Sequence, residues 1–244
     1  MLQTIYFSSG KNDFKDNMFD AEEWSAPTMV EPNVIKTRLA SMKLEGRKIK
    51  RMKLIGLSYM HTPEWIEESA YNVLDQLEEE ERQKRSDYHN IAPEMLFGRK
   101  AMVDEPLLIE FEDGNVFEIK TPQQPEFRFS MNCIPWGIDA GTNLPNLDAD
   151  VMFSPCIGKT VKSVEANTFI TDTDPFLNDY IDDGHSRREL VSDIVLRLDD
   201  GNGIRIGGWL DYCEIDLIDE NNQLLMIPFR ELKPALSNQR YLNE

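Results

Sequence analysis

The sequence predicts an α+β protein that is β-dominated: two related β-units, an internal duplication, in one compact body with one long helix inserted in the first unit. Three observations carry this expectation. Alternating apolar residues flank an Asp-Gly-Asn turn twice, in FEDGNVFEI (Phe111 to Ile119) and LDDGNGIRI (Leu198 to Ile206). A second pair of similar segments, GRKIKRMKL from Gly46 and GKTVKSVEA from Gly158, precedes them. The clearest helical period in the chain follows Thr62, inside the first unit alone.

Residues 1–36 read as an N-terminal arm. Leu2 to Phe7 alternate as a strand would, and the stretch then turns polar and irregular. Residues 37–136 form the first β-unit. In it Ile49, Met52, Leu54 and Leu57 suggest one or two strands, and the helix occupies about 62–86. Thr62 is a good N-cap, and Pro63 suits the first helical position, where its missing N–H is no loss. Ile66, Ala70, Val73, Leu74 and Leu77 make one apolar stripe. Glu78–Arg82, Glu80–Lys84 and Glu81–Arg85 are i,i+4 pairs in the favourable order, so EEEERQKR reads as a solvated helical face.

After Pro106 the period becomes two. A three-residue loop, Asp113-Gly114-Asn115, sets Phe111 opposite Phe117 and Ile109 opposite Ile119, keeping one face apolar. A further strand, EFRFSMN, follows TPQQP. Residues 137–150, rich in Gly, Asn, Asp and Pro, are the connecting loop, and 151–240 form the second β-unit.

The duplication rests on position-by-position agreement. Laying Gly114 on Gly201 matches Leu107, Ile109, Phe111, Phe117 and Ile119 with Ile194, Leu196, Leu198, Ile204 and Ile206. Gly46 to Gly114 spans 68 residues and Gly158 to Gly201 spans 43, and the difference of 25 is about the length of the helix. EFRFSMN then corresponds to YCEIDLI, and LIDENNQLLMIPF adds a hairpin to the second copy.

Composition limits the function classes. A hydrophobic share of 41% and a charged share of 29% belong to a globular chain, and no apolar run approaches the roughly 20 residues that span a bilayer. The start lacks a signal-peptide pattern, so the expected location is cytoplasmic. Cys133, Cys156 and Cys213, widely spaced among apolar residues, read as core thiols in a reducing compartment. The net charge of −18 repels phosphates, which argues against nucleic acid and anionic membrane as partners and favours a basic protein.

The densest acidic segment, TDTDPFLNDYIDDGHSRREL, contains Asp172, Asp174, Asp179, Asp182 and Asp183. Read as a calcium loop from Asp172 it places Leu177 where glycine is required, so no metal site is assigned. A helix between His61 and His89 would hold them roughly 35–40 Å apart, too far to share a metal. His185 beside Asp182 and Asp183 is the nearest approach to acid/base chemistry. Phosphate-loop, zinc-protease and nucleophile-elbow motifs are absent, and no cofactor is implied. Trp136 and Trp209 suit the ends of sheets, or stacking platforms for a ligand.

The leading expectation is a non-catalytic acidic protein-binding module, of the inhibitor or toxin-neutralising (immunity-like) kind, engaging a basic partner through Asp172, Asp174, Asp179, Asp182 and Asp183. Two competing classes are a metal-assisted or acid/base hydrolase using His185, Asp182 and Asp183, and a self-associating structural subunit.

Overall fold

The computed structural model describes residues 20, 22–55, 93–94, 96–103, 105–122, 125–138, 147–148, 150–172, 187–209, 212–228 and 230–231 of the 244. The predicted helix at about 62–86 and all three histidines lie outside them.

The architecture is β-dominated. In chain order the elements are β1 (Thr28–Met29), α1 (Pro32–Met42), β2 (Ile49–Leu54), β3 (Leu96–Gly98), β4 (Lys100–Val103), β5 (Leu107–Phe111), β6 (Val116–Lys120), β7 (Phe127–Met131) and β8 (Leu147–Asp148). Then come α2 (Asp150–Phe153), a 3₁₀ turn (Ser154–Cys156), β9 (Val161–Asp172), β10 (Arg187–Leu198), β11 (Gly203–Trp209), β12 (Tyr212–Ile218) and β13 (Met226–Pro228). Among these elements neither helix is long and apolar enough to cross a membrane.

Two antiparallel sheets share one core. Their orders are β1-β7-β6-β5-β2-β8 and β4-β12-β11-β10-β9, with β13 and β3 making a small separate pair. Alternation supplies the shared face: Met52, Ile109, Phe117 and Phe129 of the first sheet belong to the same buried cluster as Leu196, Ile204 and Ile215 of the second. Helix α1 joins them through Ile35, Leu39 and Met42, spaced i, i+4, i+7 on one face. Proline starts this helix, and Lys43, in the left-handed region at φ 51°, ends it. Sequence reading assigned no helix here, because three apolar positions among polar ones are a faint stripe.

Each sheet contains a four-stranded meander with matching register. In the first, Ile49 pairs with Phe111, then Arg51 with Glu110, Met52 with Ile109 and Leu54 with Leu107. In the second, Val161 pairs with Leu198, then Ser163 with Arg197, Val164 with Leu196 and Ala166 with Ile194. Both ladders skip one residue at the same place, Lys50 in β2 and Lys162 in β9. The later pairs match too, Phe117 with Met131 and Ile119 with Phe129 against Ile204 with Leu217 and Ile206 with Ile215.

The first hairpin corrects the expected register by two residues. Ile109 faces Phe117 and Leu107 faces Ile119, and the Phe111 amide donates to the Asn115 carbonyl at 2.8 Å. The three loop residues are therefore Glu112-Asp113-Gly114. Gly114, at φ +82°, takes the left-handed third position that a type I turn with a G1 bulge requires. A shift of two preserves which side chains face inward, so the apolar face survives the correction. The second hairpin repeats the arrangement, with Leu198 bonded to Asn202 and Gly201 at φ +92°.

Candidate functional site

Of the five predicted acidic site residues, the described structure contains Asp172, the last residue of β9, paired in register with Arg187 at the start of β10. Asp174, Asp179, Asp182 and Asp183, like His185, lie outside the described residues. Among the described residues no group of three or more His, Cys, Asp or Glu could hold a metal ion. Burial, rather than reactivity, characterises the thiols: all three are reduced and buried, and burial pushes those of Cys156 and Cys213 up.

Five turns gather at one end of the two meanders and form an acid-rich surface. Gly46 N–H donates to the Val161 carbonyl and Gly158 N–H to the Ile49 carbonyl, each at 2.8 Å, which ties the entry of each meander to the other. Glu112 N–H bonds the Lys48 carbonyl at 2.8 Å, and Asp199 N–H bonds the Thr160 carbonyl at 2.9 Å, so the hairpin turns sit beside these entries. Glu220, on the turn after β12, approaches Gly201. Glu45, Glu112, Asp113, Asp199, Asp200 and Glu220 are all exposed there.

Local bonding makes this surface rigid. Asp113 pairs with Arg47 and Asp200 with Lys159, at corresponding places in the two halves. Each carboxylate also accepts the amide two residues on, from Asn115 at 3.0 Å and Asn202 at 3.1 Å. Burial pushes the Asp200 carboxyl up, but the hydrogen bonds from Lys159 and Asn202 outweigh it and hold the group below the usual carboxylate range. The third turn follows suit, with Asp219 Oδ1 accepting the amides of Asn221 and Gln223, both at 2.8 Å. Such an end can present fixed carboxylates to a cationic surface with little ordering cost.

A second feature lies on the outer face of the first sheet. Trp24, only 2% exposed, packs there with Ala26, Ile55, Leu108, Val116, Ile134 and Ile138. Its indole N–H donates to Ser130 Oγ at 2.7 Å, and that hydroxyl donates to Glu118 Oε2. Glu118 Oε1 accepts the amides of Cys133 at 2.7 Å and Ile134 at 3.0 Å. Burial, at 0% exposure, drives the Glu118 carboxyl up to about 7, although these donors oppose it. The Arg128 guanidinium bonds the Trp24 and Ala26 carbonyls at 2.8 and 3.1 Å, fixing the covering segment. At the matching positions of the second sheet stand Arg205 and Asp216, an ion pair instead. Trp136 is not an open platform: the Arg51 guanidinium stacks on its ring at 4.1 Å, and Lys53 bonds its carbonyl at 2.9 Å.

Sequence reasoning missed both features. The turn acids were legible individually as turn formers, but their convergence needs the fold. Glu118 sits where alternation assigns solvent, and the signal of its burial is Trp24, far earlier in the chain. Comparison with family models, curated proteins and solved structures finds no match to this chain.

Proposed function

We propose that this chain is a non-catalytic acidic binding module that engages a basic protein, as an inhibitor or an immunity-like protein does. The observation that carries the reading is the acid-rich turn end, where carboxylates of three turns, Asp113, Asp200 and the half-buried Asp219, are fixed by their own backbone bonds. The net charge of −18 supplies the long-range attraction. Asp172, Asp174, Asp179, Asp182 and Asp183 are the second acidic surface of the proposal. Binding to a panel of purified basic proteins, followed across a salt series, tests it. Affinity for the true partner falls about tenfold or more as ionic strength rises to physiological levels. Replacing Glu45, Glu112, Asp199 and Glu220 by Gln lowers the association rate, and so does replacing the five aspartates by Asn. Affinity indifferent to salt and to both sets of substitutions sinks the reading.

We further propose that the two meanders descend from one ancestral β-unit. The shared strand order, the register that skips Lys50 and Lys162 alike, and the reciprocal bonds of Gly46 and Gly158 support it. Aligning homologues of residues 44–132 and 156–218 is the test, and the two profiles should detect each other. Profiles that align the glycine turns but nothing else would leave only convergent turn chemistry.

A further inference from the structure

A groove of about 410 Å³ runs between α1 and β9. Its floor is Leu39, Leu44, Val164 and Ala166, and its rim carries Lys36 and Lys43 with Glu45 beside them. That volume lies within the roughly 300–1,000 Å³ of small-molecule sites. The charge of the rim runs against the rest of the chain, in which acidic residues outnumber basic ones by 44 to 26.

Most other described cations are committed, Lys162 and Arg230 being exceptions outside the groove. Lys48, Lys50, Arg51, Lys100, Lys159 and Arg205 each sit on a carboxylate, and Arg38, Lys53 and Arg128 hold carbonyl oxygens. Lys36 and Lys43 have neither kind of partner among the described residues, although a chain this acidic offers many. Both are exposed, Lys36 on α1 and Lys43 at the left-handed residue that ends it. Positive charge left open over an apolar floor complements a molecule with an anionic head and a greasy body.

We propose that this groove binds a small amphiphilic carboxylate, its hydrocarbon on Leu39, Leu44, Val164 and Ala166 and its head at the ammoniums of Lys36 and Lys43. The apolar floor supplies affinity through buried area, and the two ammoniums select the sign of the head group. Neither the acid-rich turn end nor a basic partner is needed for it.

Calorimetry and NMR titration of the full chain with decanoate, kept below its micelle concentration, provide the test. Decan-1-ol and decyltrimethylammonium serve as neutral and cationic comparators of similar length. Decanoate should bind and shift the amides of residues 36–45 and 164–166, with the cationic amphiphile at least about tenfold weaker. The double substitution Lys36→Gln/Lys43→Gln should cut decanoate affinity about tenfold while leaving the fold intact by circular dichroism. Ala166→Phe, which fills the floor, should remove binding. Equal affinity for all three amphiphiles, or decanoate binding untouched by the lysine substitutions, overturns the proposal. So does an absence of binding accompanied by a lower melting temperature in the lysine variant, which would assign the ammoniums to carboxylates of the chain itself.

Discussion

The amide of Gly46 donates to the carbonyl of Val161 at 2.8 Å, so the first meander is anchored at its entry by the second. The bond is returned by Gly158, which donates to Ile49 at the same length. The two hairpin turns that follow lie beside these entries, and their glycines occupy equivalent left-handed positions.

Substituting those hairpin glycines should cost alike. An L side chain in the left-handed region loses roughly 1–2 kcal/mol, and Gly114→Ala and Gly201→Ala should each lower stability by about that amount. Asn tolerates the region better, so Gly114→Asn and Gly201→Asn should be milder. Urea midpoints for the four variants decide it. An alanine variant with an unchanged midpoint would contradict the turn assignment.

Glu118 should make stability depend on pH. Its folded value, about 7, lies above the ordinary 4.5 of the unfolded chain, because burial disfavours the carboxylate. Its stabilising contribution is therefore complete below about pH 4.5 and is lost as pH climbs through 7. At pH 8 the loss amounts to about 3 kcal/mol relative to acid conditions. Glu118→Gln keeps an acceptor for the Cys133 and Ile134 amides and cannot ionise. Urea unfolding at several pH values should show a flatter profile in this variant between pH 5 and 8. Identical slopes in both proteins would place the dependence elsewhere.

The thiols should be silent in the native protein. Cys156 and Cys213 are completely enclosed, and burial raises both above the usual thiol value, depleting the reactive thiolate. Iodoacetamide at neutral pH should leave these two unmodified over a period in which the urea-unfolded chain is alkylated at all three. Mass spectrometry of the digested protein counts the adducts. Rapid native alkylation at either position would mean that the core opens far more readily than its packing implies.

Much of the fold was legible because alternation and turn chemistry are local. Leu107, Ile109 and Phe111 announce their strand, and Asp-Gly-Asn announces the reversal. The register slipped by two because the pattern of inward side chains is blind to such a shift. What decides it is the left-handed position required of Gly114. Helix α1 escaped notice because Ile35, Leu39 and Met42 derive their meaning from the sheets beneath them. Glu118 escaped for a related reason: its strand alternates as though one face were wet, and Trp24 covers that face from a distant part of the chain. Asp172, Asp174, Asp179, Asp182 and Asp183 are legible as a cluster because they are dense in sequence. The carboxylates of the turn end come from segments far apart, so their convergence is visible in the fold alone.

The exchange at Gly46 and Gly158 also bears on when this molecule can form. Each meander offers one wall of a common interior, and among the described residues the facing wall comes from the other meander. A nascent chain leaving the ribosome would present Phe117, Phe129 and their neighbours to water until β10, β11 and β12 had been synthesised. Acquisition of the native state is thereby postponed until β12 has been synthesised, and the early half depends on its own negative charge, or on a chaperone, to stay in solution.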